Sequence, residues 1–230
     1  MKDITIAIDG HSSTGKSTVA KQLAKALNYT YVDTGAMYRA VTYFAMQNNW
    51  FEDAQLQTED LLTQLDEISI SFDFNQETQK SYILLNGENV EDAIRSMAVS
   101  NKVSTVAKLP QVRSKLVEIQ QEMGKNGGIV MDGRDIGSVV FPDAELKLFM
   151  TASAEARAQR RFKEIKNKQQ QVTYQEVLDN VIERDQIDST RSVSPLIKTE
   201  DAILIDNTNL SPEAQFSQIL QLAQERITAH

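Results

Sequence analysis

The feature that most constrains this chain is an apolar run at its start that leads straight into a glycine-rich loop. Four of the five residues at positions 4–8 are apolar, which is typical of a short buried strand. The residues that follow fit the spacing G-x-x-x-x-G-K-[ST], reading Gly10-His11-Ser12-Ser13-Thr14-Gly15-Lys16-Ser17. An apolar helical pattern begins directly after them, at Val19. A strand, this loop and a helix in that order predict a site for the phosphates of a nucleoside triphosphate.

The residue types in this loop suit phosphate chemistry. Gly10 and Gly15 allow backbone conformations closed to other residues, so successive N–H groups can point inward at an anion. The positive end of the following helix adds to that attraction. Lys16 is expected to reach the β- and γ-phosphates, and the Ser17 hydroxyl is expected to ligate Mg²⁺. A chance glycine-rich turn is the alternative, and the flanking strand and helix argue against it.

Composition and charge narrow the class of protein. The chain has 230 residues, 41% of them hydrophobic and 24% charged, which is ordinary for a globular protein of one or two domains. A net charge of −8 without a long basic block argues against a nucleic-acid or membrane-surface partner. There is no cysteine, no signal-peptide pattern and no apolar run of about twenty residues. We therefore expect a cytoplasmic protein, and we expect it to be a monomer.

Strand and helix patterns alternate along most of the chain. After the first strand, further short apolar runs predict strands at 29–32, 129–132, 146–150 and 202–206. Helical periodicity predicts helices over 19–27, 37–45, 52–66, 91–109, 110–125, 153–168, 173–188 and 211–229. Such alternation predicts an α/β fold in which a five-stranded parallel sheet is covered by helices on both faces.

One segment departs from this alternation. Residues 68–74 alternate strictly between apolar and polar side chains, which predicts a half-buried strand. Residues 82–85 can form its antiparallel partner, with 75–80 as the connection and Asn86-Gly87 as a second turn. We therefore expect residues 62–95 to form an inserted subdomain over one side of a ligand cleft, although a plain surface hairpin fits the pattern equally well.

Polar residues follow several predicted strands at the edge where open α/β sheets bind ligands. Thr34 and Arg39 follow the second strand, and the third ends at Asp132 and leads into Gly133-Arg134-Asp135. Arg113 falls in the first turn of a predicted helix, an unfavourable end for a cation, which indicates an anionic or polar partner. Arg39 by itself is more typical of a solvated helix charge.

Two helical segments between the last two strands carry concentrated charge. The first is rich in basic residues, with Glu155 and Glu164 as its acids: Arg157, Arg160, Arg161, Lys163, Lys166 and Lys168. Two arms meeting at a polar turn over 167–171 suit a mobile lid over polyphosphate, which we place at 157–175, although a solvated helix face is the alternative. In the second segment, Arg184, Asp188 and Arg191 share one face if the helix continues, as a site or as a surface ion-pair ladder.

Together these motifs resemble the bacterial cytidylate kinase family from end to end. Besides the phosphate loop, the resemblance rests on Asp33-Thr34-Gly35-Ala36-Met37-Tyr38-Arg39, on Asp132-Gly133-Arg134-Asp135-Ile136-Gly137 with Val139-Val140-Phe141-Pro142-Asp143-Ala144 after it, and on Arg184-Asp185-x-x-Asp188-x-x-Arg191. The hairpin insert is similar to that family's enlarged monophosphate-binding subdomain. The resemblance implies one kinase domain over 1–230 that transfers the γ-phosphoryl group of ATP, with Mg²⁺, to CMP or dCMP.

The resemblance also implies which residues bind each substrate. The ATP-binding positions are Gly10, His11, Ser12, Ser13, Thr14, Gly15, Lys16, Ser17 and Thr18, with the lid arginines Arg157, Arg160 or Arg161 closing on the phosphates. The positions that match the acceptor site are Thr34, Arg39, Ser104, Arg113, Arg134, Asp135, Arg184, Asp188 and Arg191. Lys16, Arg134 and Arg191 are the expected catalytic residues, because they would neutralise charge on the transferred group.

The phosphate loop departs from that family's pattern at two positions. His11 and Ser13 stand where family loops commonly have Pro and Gly, and we expect His11 to be a spacer rather than an acid or base. Two rival classes stay open at this point. A nucleotide-dependent switch should carry N-K-x-D, which Asn167-Lys168-Gln169-Gln170 lacks at its last position. Another small-molecule kinase could use the same loop.

Overall fold

The structure is a computed structural model that describes residues 3–52, 55–75, 80–167 and 172–229. The first half of the described chain contains β1 (Thr5–Gly10), α1 (Lys16–Leu27), β2 (Thr30–Asp33), α2 (Thr34–Gln47), β3 (Phe51–Glu52), β4 (Gln55–Leu56), α3 (Thr58–Thr63), β5 (Ile70–Asn75), β6 (Lys80–Leu85), β7 (Glu88–Asn89) and α4 (Met97–Val106). The remainder contains α5 (Pro110–Gly124), β8 (Ile129–Gly133), β9 (Leu146–Thr151), α6 (Ala154–Asn167), α7 (Tyr174–Thr190), β10 (Ile203–Asp206) and α8 (Pro212–Thr228). Two compact units result, Met1–Val32 with Met123–His230 and Asp33–Glu122.

A parallel sheet forms the centre of the first unit. Its described strands are five, in the order β10-β9-β1-β8-β2, and β1 pairs in parallel with both β8 and β9. Apolar side chains of β1 pack with Val19 and Leu23 of α1 and with Ile219 of α8, so these two helices cover one face of the sheet. Burying each such Leu or Ile contributes about 1.5–3 kcal/mol. The predicted five-stranded parallel sheet is confirmed.

The second unit carries the antiparallel strands. Here β5 pairs with β6, Ile70 opposite Leu85, and β6 pairs with β7, as the alternating pattern predicts. Asn86 and Gly87 both have positive φ, 50° and 83°, which matches the two-residue turn expected between paired strands. Most of the predicted connection over 75–80, namely residues 76–79, lies outside the described residues.

Two predicted helices of this unit are wrong in extent. The helix expected over 52–66 is replaced by the short antiparallel pair β3 and β4, then by α3 and a 3₁₀ turn over Leu65–Glu67. The backbone N–H of Gln57 also donates to the Trp50 carbonyl, at 2.8 Å, and this bond extends the pairing of β3 with β4. The helix expected over 91–109 is interrupted at Ser96, whose extended backbone and side-chain oxygen begin α4.

Other boundaries follow the sequence closely. Pro110 opens α5, and Ser211 caps α8 by accepting a hydrogen bond from Ala214 N at 3.2 Å. The second charged helix, α7, continues to Thr190. Of the polar turn predicted over 167–171, residues 168–171 lie outside the described residues. Across the described ranges, no helix combines the length and apolar character that a membrane crossing requires.

Candidate active site

The glycine-rich loop leaves β1 at a point where a larger residue would not fit. A Cβ atom on Gly10 would lie 2.0 Å from the Met150 carbonyl oxygen, and φ at this residue is 144°. Gly15 has φ of 84°, which a glycine adopts without steric cost. Ser13 also has positive φ, 59°, although it carries a side chain. Such a conformation costs about 1–2 kcal/mol outside glycine, so Ser13 introduces a small backbone strain into the loop.

Lys16 begins α1 and is the buried cation of the loop. Its side chain is 5% exposed, and its ammonium donates to the His11 carbonyl oxygen at 2.8 Å. Burial, followed by the nearby positive charge of Arg134, lowers the pKa of Lys16 to about 7, while Asp132 and Asp9 oppose that change. An anion bound in the loop would restore a higher pKa, so the site favours a phosphate beside this lysine.

Ser17 meets a carboxylate from the neighbouring strand. The Ser17 hydroxyl donates to Asp132 Oδ2 at 2.9 Å, and the Tyr31 hydroxyl donates to Asp132 Oδ1 at 2.7 Å. A hydroxyl and a carboxylate supply the oxygen ligands that Mg²⁺ uses in phosphate-loop proteins, where substrate phosphates and water complete the shell. Within the described ranges, no group of three or more His, Cys, Asp or Glu residues is placed to hold a metal by itself. The residues present therefore fit a cation that arrives with a nucleotide.

A second cluster joins the loop after β8 to the end of α7. Arg134 Nε donates to Asp188 Oδ2 at 2.7 Å, and Arg191 Nη1 lies 3.8 Å from Asp188 Oδ1. Arg191 Nη2 lies 3.9 Å from Asp135 Oδ1. Although burial opposes ionisation, the charges of Arg134, Arg184 and Arg191 hold the pKa of Asp188 below its usual range. The structure thus brings together five of the predicted acceptor residues.

The course of α7 explains how these residues converge. Because the helix continues to Thr190, Arg184 and Asp188 lie one turn apart on one face. Arg191 follows at the C-cap, where its Nε donates to the Ser194 carbonyl at 2.7 Å. The alternative of an ion-pair ladder on a solvated surface does not fit, because Asp188 and Arg191 are buried.

Two of the predicted lid arginines contact other groups in this structure. Arg157 is 3% exposed and pairs with both carboxylate oxygens of Asp185, at 2.9 and 2.5 Å, and its Nη1 lies 3.4 Å from the Ser12 carbonyl. Arg160 donates to the side-chain and backbone oxygens of Asn207, at 2.9 and 2.7 Å. Arg157 thus contacts the phosphate loop directly, at Ser12. Arg160 contacts it through Asn207, whose Nδ2 donates to the Thr14 carbonyl at 2.6 Å. Arg161 is half-buried on the same helix.

His11 contacts the same carboxylate as Arg157. Its Nδ1 lies 3.3 Å from Asp185 Oδ1, and its ring packs edge-on against Phe149. Burial raises the pKa of Asp185, but hydrogen bonding to His11 and Arg157 outweighs it and holds that pKa below the usual range. Sequence reasoning singled out neither this role of Asp185 nor that of Asn207, although Asp185 lies inside one of the motifs.

The remaining predicted acceptor residues belong to the second unit. Thr34 opens α2 and is buried, and Arg39, further along the same helix, donates to Ser100 Oγ at 2.8 Å. Ser104 is half-buried on α4. Arg113 is 2% exposed on α5, where it donates to the Ala107 carbonyl at 3.1 Å.

The start of α2, which positions Thr34, is held by an ion pair within this unit between a buried carboxylate and a half-buried arginine. Asp33 caps the helix by accepting from Ala36 N at 3.0 Å, and Arg95 donates to its other oxygen at 2.8 Å. Burial opposes ionisation of Asp33, but Arg95 and the helix N–H hold its pKa below the usual range. Thr34 therefore follows a fixed carboxylate.

The first unit contains a parallel sheet, a glycine-rich loop with a buried lysine, and a cluster of arginines and aspartates. Together these features define a nucleotide-dependent phosphotransferase of the P-loop class. Comparison with known proteins is more specific. The family model described as cytidylate kinase matches residues 6–225. The chain belongs to the cytidylate kinase family, and it is a nucleoside monophosphate kinase.

Curated relatives agree over nearly the full length. The chain is 60% identical to the cytidylate kinase of Flavobacterium johnsoniae, over 98% of both chains. It is 59% identical to that of Flavobacterium psychrophilum, over 96% of this chain and 98% of the relative. It is 54% identical to that of Bacteroides fragilis, over 100% of both. Neither a switch-type GTPase nor an unrelated small-molecule kinase fits this family membership.

Proposed function

We propose that this chain carries out the reaction of its family, ATP-dependent phosphorylation of CMP or dCMP, with the residues gathered in its first unit as the chemical centre. One observation carries this assignment. Arg134 and Asp188 both act on the pKa of Lys16, and Arg134 and Arg191 both contact Asp188, so the donor lysine and the acceptor arginines belong to one electrostatic cluster. Positive groups at this position can bind two anionic substrates.

The phosphate loop is proposed to hold ATP. Backbone N–H groups from Gly10 to Thr18 would surround the phosphates, and Lys16 would exchange its bond to the His11 carbonyl for the β- and γ-phosphates. Mg²⁺ would bind Ser17, with Asp132 beside it, and would neutralise charge on the phosphates. Arg157, Arg160 and Arg161 are proposed to act from the lid at 157–175 once ATP is bound, which requires them to leave or share their present partners.

The transfer itself needs no general base. A phosphate oxygen of CMP is already anionic, so it can form the new bond to the γ-phosphorus while the bond to the β,γ-bridging oxygen of ATP breaks. Catalysis then consists of positioning and charge neutralisation. Lys16, Arg134 and Arg191 are buried or half-buried cations that can supply both.

Selection of cytosine is proposed to depend on Asp135. The exocyclic amino group of cytosine is a donor, and a buried carboxylate accepts from it, as carboxylates do when they read cytosine in DNA. Uracil presents a carbonyl oxygen instead, which would leave that carboxylate unpaired and disfavour UMP. Ser104 and Arg113 supply a hydroxyl and a guanidinium suited to the ring acceptors N3 and O2.

The other acceptor groups are assigned by their chemistry. Asp188 and Arg184 suit the sugar hydroxyls, and Arg134 and Arg191 suit the α-phosphate. Arg39 is proposed for the same phosphate because of its charge, and Thr34 is proposed as a further acceptor-binding residue. The inserted segment at 62–95 is proposed to be the monophosphate-binding subdomain of one kinase domain. We further propose that the protein acts as a cytoplasmic monomer, which light scattering and cell fractionation would test.

The experiment that tests this function measures ADP release with a coupled assay. ATP and MgCl₂ are held constant, and CMP, dCMP, UMP, AMP and shikimate are compared as acceptors. We expect turnover with CMP and dCMP, weaker turnover with UMP and none with AMP or shikimate. Equal kcat/KM values for CMP and UMP would contradict the proposed base selection, and turnover of shikimate in place of CMP would contradict the acceptor class.

A further inference from the structure

Asp9 is a buried carboxylate for which the proposed chemistry has no use. It lies on β1 immediately before Gly10, and it is 5% exposed. Its Oδ1 accepts a hydrogen bond from Ile136 N at 2.8 Å, and its Oδ2 accepts one from Gly137 N at 2.7 Å. These two N–H groups come directly after Asp135 in the chain. One side chain on the phosphate-loop strand therefore holds the backbone of the acceptor loop.

The strand that carries Asp9 is a fixed support. Asp9 lies opposite Gly133 on β8 and opposite Phe149 on β9, so hydrogen-bonded neighbours flank it on both sides. The residue after it, Gly10, approaches the Met150 carbonyl so closely that a Cβ atom would clash. Displacing Asp9 would thus require the centre of the sheet to move, which makes it a rigid point from which to hold a loop.

The loop, in turn, needs such an anchor. Ile136–Val140 forms a short wide helical turn, and Asp135 at its start gives it no side-chain cap. The first N–H groups of a helical turn have no acceptor within the turn, so an outside oxygen must supply one. Gly137 permits the approach, because a Cβ atom there would lie 3.1 Å from Lys147 Cδ and 3.4 Å from Asp9 Oδ2.

Keeping a carboxylate at this position has a cost. Burial raises the pKa of Asp9 to about 6, the negative charge of Asp135 adds to the effect, and the two backbone N–H groups and Lys16 offset it in part. An apolar side chain would avoid that cost but could not accept the two hydrogen bonds. The two hydrogen bonds to Ile136 N and Gly137 N therefore explain why a carboxylate is present at this position.

We propose that Asp9 is a positioning residue that fixes the Ile136–Gly137 backbone and thereby holds Asp135 in the orientation that selects the acceptor base. The proposal rests on the proposed function, in which Asp135 reads cytosine. It links the strand that leads into the ATP loop to the loop that selects the acceptor, through two hydrogen bonds inside one unit.

The test uses Asp9→Asn, which keeps the shape but replaces one accepting oxygen with an NH₂ group that faces a donor. We expect the ratio of kcat/KM for CMP to that for UMP to fall about tenfold, as leaving a buried donor unpaired costs a factor of this order. KM for ATP should change less than about threefold. Asp143→Asn, the same change at an exposed position of the same unit, is the control and should leave the ratio unaltered.

A double variant distinguishes positioning from general damage. If Asp9 acts through Asp135, Asp9→Asn lowers the CMP-to-UMP ratio in the wild type but adds nothing in the Asp135→Ala background. Equal proportional losses in both backgrounds, or parallel loss for CMP and UMP, would overturn the proposal. If Asp135→Ala leaves the ratio unchanged, base reading by Asp135 is itself wrong, and the route proposed for Asp9 falls with it.

A spectroscopic measurement reports on the anchor without using activity. A hydrogen bond to a carboxylate moves an amide proton signal downfield. In ¹⁵N-labelled Asp9→Asn, which lacks the carboxylate, the amide proton signals of Ile136 and Gly137 should therefore shift upfield. In the wild type, which needs no folding control, the same two signals should titrate with a midpoint of about 6 as Asp9 ionises. If the amide proton shifts of Ile136 and Gly137 change neither with the substitution nor with pH, the proposal is overturned.

Discussion

Ser17 Oγ lies 2.9 Å from Asp132 Oδ2, so the hydroxyl that follows the glycine-rich loop shares a hydrogen bond with a carboxylate on the adjacent strand. The two residues are 115 positions apart in sequence. They meet because β1 and β8 are parallel neighbours whose carboxyl ends reach the same edge of the sheet. Tyr31, which donates to the other oxygen of Asp132, fixes the direction of that carboxylate.

Replacing Asp132 with Asn should therefore raise the magnesium requirement. We expect the MgCl₂ concentration for half-maximal activity to rise about 10–100-fold, because the variant loses a negative oxygen beside the proposed metal ligand Ser17. Tyr31→Phe, which removes only the supporting hydroxyl, should give a smaller change in the same direction. Rates titrated against MgCl₂ at saturating ATP provide the measurement, and superimposable wild-type and Asp132→Asn curves would reject this role.

Removing the Lys16 ammonium should abolish most turnover and leave the fold intact. We expect Lys16→Ala to lower kcat by at least about 100-fold, since a preorganised charge aimed at the transferred phosphoryl group is lost. The thermal unfolding midpoint should not fall, because a buried cation with a lowered pKa is not a source of stability. An unchanged kcat in a steady-state assay would defeat the assignment.

The lowered pKa of Lys16 also predicts a proton uptake. With a pKa of about 7 in the free protein, this lysine is mostly neutral at pH 8 and mostly charged at pH 6. ATP favours the charged form, so binding at pH 8 should take up a proton and ATP affinity should weaken as pH rises from 7 to 9. Calorimetry in buffers of different ionisation enthalpy measures the uptake, and Lys16→Met should abolish it. Equal heats in all buffers at pH 8 would contradict the prediction.

Asp135 should determine which pyrimidine is accepted. We expect Asp135→Ala to lower kcat/KM for CMP and to bring it close to that for UMP, because the acceptor for the cytosine amino group is gone while Arg134, which is held by Asp188, is kept. Competition between CMP and UMP in one reaction, with products separated by chromatography, gives the ratio directly. A ratio that equals the wild-type value counts against base reading by this residue.

How far the sequence predicts this molecule depends on whether a pattern is local. The loop from Gly10 to Ser17 and the shared helix face of Arg184 and Asp188 follow from spacing within a few residues, and both predictions of local structure are confirmed. The helix ends at Thr190, so Arg191 approaches Asp188 from the C-cap and not from the same helical face.

The helix predicted over 52–66 is wrong in extent although the competing contact is also local. Phe51 pairs with Leu56 in a short antiparallel ladder, and helical residues begin only at Thr58, because this backbone pairing overrides the apolar spacing.

Long-range contacts explain what the sequence could not provide. Arg157 and Asp185 are 28 residues apart, and Asn207 reaches the Thr14 carbonyl across 193 residues. Neither pair has a periodic signature, because the contact exists only after the sheet has formed. The many basic residues of α6 predict a lid over polyphosphate. Composition could not show that Arg157 contacts the Ser12 carbonyl of the phosphate loop or that Arg160 contacts the Asn207 carbonyl.

Asp9 gives a prediction for stability that is independent of catalysis. Its folded pKa of about 6 exceeds the unfolded value of 3.8, so its contribution to stability is fully present below pH 3.8 and is lost as pH rises through 6. Asp9→Asn carries no such dependence. The free energy of unfolding of the wild type, relative to the variant, should therefore increase by about 2 kcal/mol as pH falls from 7 to 4, given about 1.4 kcal/mol for each pKa unit and a contribution that is not yet complete at pH 4. Urea titrations of both proteins at these two pH values measure the difference.

Asp143→Asn, at an exposed carboxylate, is the control and should show no comparable change. A stability difference between the wild type and Asp9→Asn that is equal at both pH values would place the ionisation of Asp9 in its ordinary range.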